Sequence, residues 1–177
     1  RDLICKEYNL NPERFTLIPL SVPIPDKSKL VKTKHVRSIT VLFVGRFELR
    51  KGIDVLLEAI PEVIKQCPNL KFRLVGPDPQ NSYQKSFETK HTASILKKVL
   101  FLDEKTGEPL EEEYRNCDFL VAPSRYESFG LIFAEAMSFG KAVIGTSAGG
   151  IPEVVEDGTT GILCPPDAPN SLVDAIV

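Results

Sequence analysis

The chain has 177 residues, 42% of them apolar and 26% charged, which suits one globular domain with a short appendage and excludes two large domains. Its net charge of −2, with Lys and Arg spread along the length, gives no basic face for nucleic acid. No apolar run approaches the roughly 20 residues that cross a bilayer as a helix.

The first 38 residues stand apart from the rest. Asp2 to Tyr8 reads as one helix and Phe15 to Ile18 as a short strand. Pro19, Pro23 and Pro25 then make a stiff, extended connector. This stretch is expected to be the end of a preceding domain plus an interdomain linker. The start at Arg1 without Met, and the stop at Val177 inside an amphipathic pattern from Ser171, suggest a piece of a longer protein.

From residue 39 onward, strand and helix alternate. Ser38 to Val44 is a β-rich apolar run ending at Gly45, as a buried parallel strand requires. Residues 52–66 carry Ile53, Leu56, Leu57, Ile60, Val63 and Ile64 at helical spacing, with Pro61 expected to kink or split the helix. Lys71 to Val75 is the second strand, stopped by the Gly76-Pro-Asp-Pro79 turn; helix is expected over 86–98. Val99 to Leu102 is the third strand, and Pro109 opens a helix over Leu110–Asn116. Asp118 to Ala122, Ala142 to Gly145 and Gly161 to Cys164 complete six strands. Between them lie a helix from Phe129 to Phe139 and one that begins near Pro152 and ends at Gly158. Strands separated by helices make βαβ units and a parallel sheet. The predicted fold is therefore a Rossmann-like, doubly wound α/β domain over 39–177.

The four cysteines, Cys5, Cys67, Cys117 and Cys164, form no C-x-x-C pair and have no His at zinc-finger spacing. They read as reduced, buried thiols of a cytoplasmic protein.

Ligands of open parallel sheets sit at the carboxyl ends of the strands, so three loops matter. In Gly45-Arg-Phe-Glu-Leu-Arg-Lys-Gly52, Arg46 and Lys51 stand before a helix N-terminus, where partial positive charge attracts phosphate. The loop is neither a P-loop nor G-x-G-x-x-G, and locally it reads as well as a polar βα connection. In the second loop, Glu127 precedes a helix and Glu135 lies within it. They stand roughly 10 Å apart at 1.5 Å per helical residue, too far for the paired carboxylates of glycoside hydrolysis. They suit two hydroxyl-rich ends of one ligand, with Phe129, Gly130 and Leu131 offering backbone N–H groups between them, although a capping Glu127 and a solvated Glu135 fit equally well. In the third loop, Gly149 and Gly150 before Pro152 form another N–H-rich concavity or a plain tight turn.

Taken in order, Val44-Gly-Arg…Lys51-Gly52, Pro123-Ser124, Glu127-Ser-Phe-Gly-Leu…Glu135-Ala136, Gly149-Gly-Ile-Pro-Glu153 and Asp157-Gly158…Gly161 resemble glycosyltransferase family 4. These are the retaining "group 1" transferases of the GT-B fold, with Glu127 and Glu135 matching the E-x7-E signature. Ile18-Pro19…Val22 resembles the family's linker, with Leu20-Ser21 in place of its usual Asn-Gly. The resemblance implies that this is the C-terminal, donor-binding half of a two-domain enzyme. Sugar would pass from a nucleotide-diphosphate donor to an acceptor with retention of configuration.

The resemblance also implies roles. Arg46 and Lys51, next to Gly45, would bind diphosphate and stabilise the leaving nucleotide. Glu135 would hold the ribose, and Glu127 the transferred sugar. Leu102, Asp103 and Lys105 would lie near the base, although Asp103 stands where the family usually has Gly. No D-x-D metal motif occurs, and no metal or other cofactor is implied; the donor would be a UDP- or GDP-sugar ahead of an ADP-sugar. The acceptor, a sugar, glycan or lipid-linked glycan, would meet the preceding domain, as would any contact with the cytoplasmic membrane face. The isolated piece is expected to be inactive.

Three other readings compete. A nicotinamide-dependent oxidoreductase needs glycines where Arg46, Phe47 and Glu48 stand. An epimerase of the GT-B fold lacks the E-x7-E series. A non-enzymatic nucleotide-sugar-binding module remains open for these 177 residues.

Overall fold

The run Ile39–Val44 forms β1, the strand on which the molecule is centred. Val41 and Phe43 face one apolar cluster and Leu42 the other, as the two-residue period of a strand buried on both faces requires. The structure, a computed structural model, describes residues 2–16, 18, 20–26, 30 and 38–177. The other strands are β2 (Leu70–Val75), β3 (Val99–Leu102), β4 (Phe119–Val121), β5 (Ala142–Thr146) and β6 (Gly161–Cys164). All pair in parallel, in the order β3-β2-β1-β4-β5-β6. The chain winds outward from β1 to one edge and then returns to build the other half, so the sheet has its switch point between β1 and β4. This is the Rossmann-like, doubly wound sheet that the alternation predicted.

The helices are α1 (Asp2–Glu7), α2 (Ile53–Gln66), α3 (Ser82–Lys90), α4 (Ala93–Leu96), α5 (Glu108–Asn116), α6 (Leu131–Ser138), α7 (Ile151–Val154) and α8 (Pro169–Ile176). One face of the sheet carries α2 and α8, through residues such as Ile53, Leu56, Ile60, Leu172 and Ile176. The other carries α5, α6 and α7, through Tyr114, Phe133, Ala136 and Ile151. Each buried side chain of Leu or Phe size contributes about 1.5–3 kcal/mol relative to exposure, and these two layers hold the strand ends in place.

Several local expectations are corrected. Pro61 lies inside α2, and of the expected kink or split the split does not occur, the helix running from Ile53 to Gln66. Ile60, Val63 and Ile64 on either side are all buried, and that packing outweighs the lost backbone bond. The region after β2 holds two helices, with α3 starting at Ser82, four residues before the predicted Ser86. The Asp78 carboxylate accepts from the amides of Ser82, Tyr83 and Gln84 at 3.0–3.1 Å, satisfying donors that begin every helix. The helix near Pro152 ends at Val154, and Gly158 instead closes a turn by donating to Gly161 O at 2.9 Å. At the N-terminus, Phe15, Thr16 and Ile18 belong to no strand, while Leu17 and Pro19 lie outside the described residues. The four cysteines are free thiols. Burial pushes Cys117 up to about 12, which keeps it protonated.

Candidate functional site

The loops after β1 and β4 flank the switch point, and backbone contacts lock them together. Leu49–Lys51 forms a single 3-10 turn that ends at Gly52, whose φ is 66°. A Cβ there would come 1.9 Å from Pro123 O, so only glycine lets the two loops touch. Arg125 N donates to Arg50 O at 2.9 Å. The Arg125 guanidinium grips both Asp54 carboxylate oxygens at 2.7–2.8 Å and Asp167 at 2.5 Å. Its positive form is thereby favoured, chiefly through the Asp54 bond, and its pKa rises.

Within this frame, Lys51 Nζ donates to Glu127 Oε1 at 2.6 Å, and the same oxygen accepts from Ser124 Oγ at 3.0 Å. Arg50 Nη1 lies 3.8 Å from Glu127 Oε2. Glu127 and Ser124 are buried, so the carboxylate is held from several sides as a buried charge must be. The third loop supports it as well. Gly150 N donates to Glu127 O at 2.7 Å, and a Cβ on Gly149 would meet that oxygen at 2.3 Å. Of the two readings of this loop, the tight turn fits the Gly150 amide, which is taken by Glu127 O, and both glycines let the loops approach closely.

A cavity of about 350 Å³ opens at the carboxyl ends of β1 and β2, lined by Gly45, Arg46, Arg50, Lys51, Glu104 and Lys105 among others. Four cations line it beside Glu104, but Arg50, Lys51 and Lys105 are already paired with Glu48, Glu127 and Glu113. Among the described residues Arg46 is therefore the lining cation that has no carboxylate partner to offer against an anion. The Arg46 side chain is exposed and has no hydrogen-bond or ion-pair partner among the described residues. Lys105 is held at 2.5 Å by Glu113, which also binds Arg73 at 2.6 and 2.7 Å. Burial raises the Glu113 pKa, but the bonds from Arg73 and Lys105 outweigh it and the net shift is downward. Of the residues expected near a base, Lys105 lines this cavity whereas Leu102 and Asp103 do not.

Glu135 lies elsewhere. It is half-buried on α6 and lines a separate cavity of about 280 Å³ with Tyr114, Phe139, Leu110 and the connector residues Val22, Pro23 and Pro25. Tyr114 Oη donates to Glu135 Oε2 at 2.6 Å. The turn between the two glutamates also differs from expectation. Gly130 has φ 91° and stands outside the helix as its N-cap, so α6 begins at Leu131 and neither Phe129 nor Gly130 is helical. Leu131 therefore supplies the first amide of α6, which has no intrahelical acceptor. Among the described residues no group of three or more His, Cys, Asp or Glu is arranged to hold a metal ion. No described helix is long and apolar enough to cross a membrane.

The family model for "Glycosyl transferases group 1" matches residues 38–177, the span that builds this sheet and these loops. The chain belongs to the group 1 glycosyltransferases. It is 35% identical over 189 residues to D-inositol 3-phosphate glycosyltransferase of Corynebacterium diphtheriae, covering 99% of this chain and 44% of that protein. It is also 35% identical over 136 residues to an uncharacterized glycosyltransferase of Methanocaldococcus jannaschii, covering 77% and 36%. The chain thus spans less than half the length of both. HepE of Anabaena, solved in complex with UDP-glucose, superposes with a TM-score of 0.72 at 25% identity, covering 97% of this chain and 49% of that one. Sucrose-phosphate synthase from Thermosynechococcus elongatus gives 0.68 at 35% identity, covering 78% and 35%. The six-stranded parallel sheet matches these GT-B glycosyltransferase neighbours.

In this group 1 glycosyltransferase, four residues beyond those predicted join the site: Arg50, Ser124, Glu113 and Tyr114. Arg50 adjoins Lys51 in a charged loop and was legible by position. Ser124 stands three residues before Glu127 and was singled out only as a matching position. Glu113 is the last of three consecutive glutamates and Tyr114 follows it in the helix expected over Leu110–Asn116, and nothing in that pattern shows what either side chain touches.

Proposed function

We propose that this chain is the donor-binding part of a retaining glycosyltransferase. Residues 39–177 would bind a nucleotide-diphosphate sugar, and residues 1–38 would be the end of an acceptor-binding domain and its linker. The observation that carries the reading is the cavity at the carboxyl ends of β1 and β2, where Arg46, Arg50, Lys51 and Lys105 converge and from which Lys51 bridges to the buried Glu127. A lysine ammonium has three donors, so Lys51 can serve Glu127 and a phosphate together. Arg46 and Lys51 would then bind the diphosphate and stabilise the charge that grows on the departing nucleotide. Glu127, fixed beside Lys51, would face the sugar, and Glu135 would accept from the ribose hydroxyls. Binding of UDP-glucose by HepE supports a uracil nucleotide, with a guanine nucleotide as the alternative. The compartment is the cytoplasm, where free thiols persist. The acceptor is a sugar or glycan, free or lipid-linked.

Isothermal titration against UDP-, GDP- and ADP-glucose tests the donor class, and the expected result is binding of the uracil or guanine donor. Binding of none would overturn the reading. A transfer assay tests the domain assignment. Positioning of a bound acceptor is worth up to roughly 7–11 kcal/mol, so this chain alone should bind donor without transferring sugar. Turnover matching an intact relative would overturn that assignment.

A further inference from the structure

We propose that Tyr114 is a positioning residue that presents Glu135 to the ribose of the donor and thereby sets discrimination between ribose and ribose lacking its hydroxyls. The proposal rests on the reading of Glu135 as the ribose carboxylate. Tyr114 is 2% exposed and lies on α5, while Glu135 lies on α6, so their contact joins two helices on one face of the sheet. The phenol ring is fixed by stacking on Phe139, with centroids 5.6 Å apart and planes 15° from parallel. From that fixed ring Oη donates to Glu135 Oε2 at 2.6 Å. Burial, and then the Glu135 charge, push the phenol's pKa far up, so it stays protonated at any working pH and acts as a permanent donor.

The consequence lies with the other oxygen. Among the described residues the Glu135 carboxylate accepts a hydrogen bond from Tyr114 alone, at Oε2, and Glu135 lines the cavity beside Leu110 and Phe139. A side chain with three rotatable bonds loses much freedom when it binds a ligand. Tyr114 removes that freedom beforehand, and the partly apolar walls strengthen any bond that Oε1 accepts. A vicinal diol donates two hydrogen bonds, the chemistry a half-committed carboxylate is built to accept.

The test is titration of this chain with UDP and GDP, each beside its 2′,3′-dideoxy counterpart, for the wild type, Tyr114→Phe and Glu135→Ala. Tyr114→Phe keeps the ring and its stacking and removes only the hydroxyl. It should cut the preference for the ribo form about five-fold while leaving affinity for the dideoxy form unchanged. Equal weakening of both forms would show a general structural role and overturn the proposal. Loss of preference in Glu135→Ala but full retention in Tyr114→Phe would overturn the role of Tyr114 and leave that of Glu135 standing. Retained preference in Glu135→Ala, or no preference in the wild type, would overturn the ribose reading itself. So would failure of the wild type to bind either nucleotide.

Discussion

Lys51 Nζ and Glu127 Oε1 stand 2.6 Å apart and join the loop after β1 to the loop after β4 across the point where the sheet reverses its winding. Both side chains are largely shielded from water, so each charge depends on the other. Residues expected to act at two parts of a ligand are thus one electrostatic unit.

Lys51→Met should lower both stability and nucleotide affinity, because it strands a buried carboxylate. The stability loss is expected at about 2 kcal/mol, below the 3–5 kcal/mol of a fully buried pair. Adding Glu127→Gln should restore much of the stability and none of the affinity. Thermal denaturation with UDP titration checks this, and an unchanged Tm in Lys51→Met would contradict the pairing.

Arg46→Ala should behave differently. Its side chain has no partner among the described residues and lines the cationic cavity, so the Tm should hold. Affinity for a nucleoside diphosphate should fall by about 1.5–3 kcal/mol, the worth of a bond to a charged group. A lowered Tm with unchanged affinity would refute the assignment.

Gly52→Ala should be among the most damaging small substitutions. It places a methyl 1.9 Å from Pro123 O and forces alanine to φ 66°. Separation of the two loops is the only relief, at a cost of about 3 kcal/mol or more. Circular dichroism melting would show it, and a Tm within a degree of wild type would mean that the loops do not pack this closely.

The acid limb of stability should depend on Glu113. Burial opposes its charge, but Arg73 and Lys105 hold its folded-state pKa below the ordinary carboxylate range. A depressed carboxylate contributes stability that is present above its unfolded pKa of about 4.3 and is lost as pH falls through the folded value. Asp54 shifts the same way, its burial being outweighed by the Arg125 bond. Melting temperature should therefore drop below about pH 4.3, and less steeply in Glu113→Gln. Parallel Tm–pH curves for the two proteins would exclude this role.

The sequence by itself determined the doubly wound sheet, the loops that bear the site and the acidic pair within them. Two-residue and helical periods report local burial, and glycine and proline mark where each element stops. Only the tertiary structure decided which side chains meet. Lys51 and Glu127 are 76 positions apart, and their contact depends on β1 and β4 becoming neighbours after two crossovers to the far edge. Tyr114 carries no sign of its contact in the sequence, because periodicity records that a side chain is buried and carries no information about the partner of its hydroxyl. Gly149 and Gly150 read either as an N–H-rich concavity or as a plain tight turn, because a glycine's sequence signal is the same whether a phosphate or another backbone approaches it. In each case the deciding quantity is a distance between elements, set by how helices pack on the sheet rather than by any local preference of the chain.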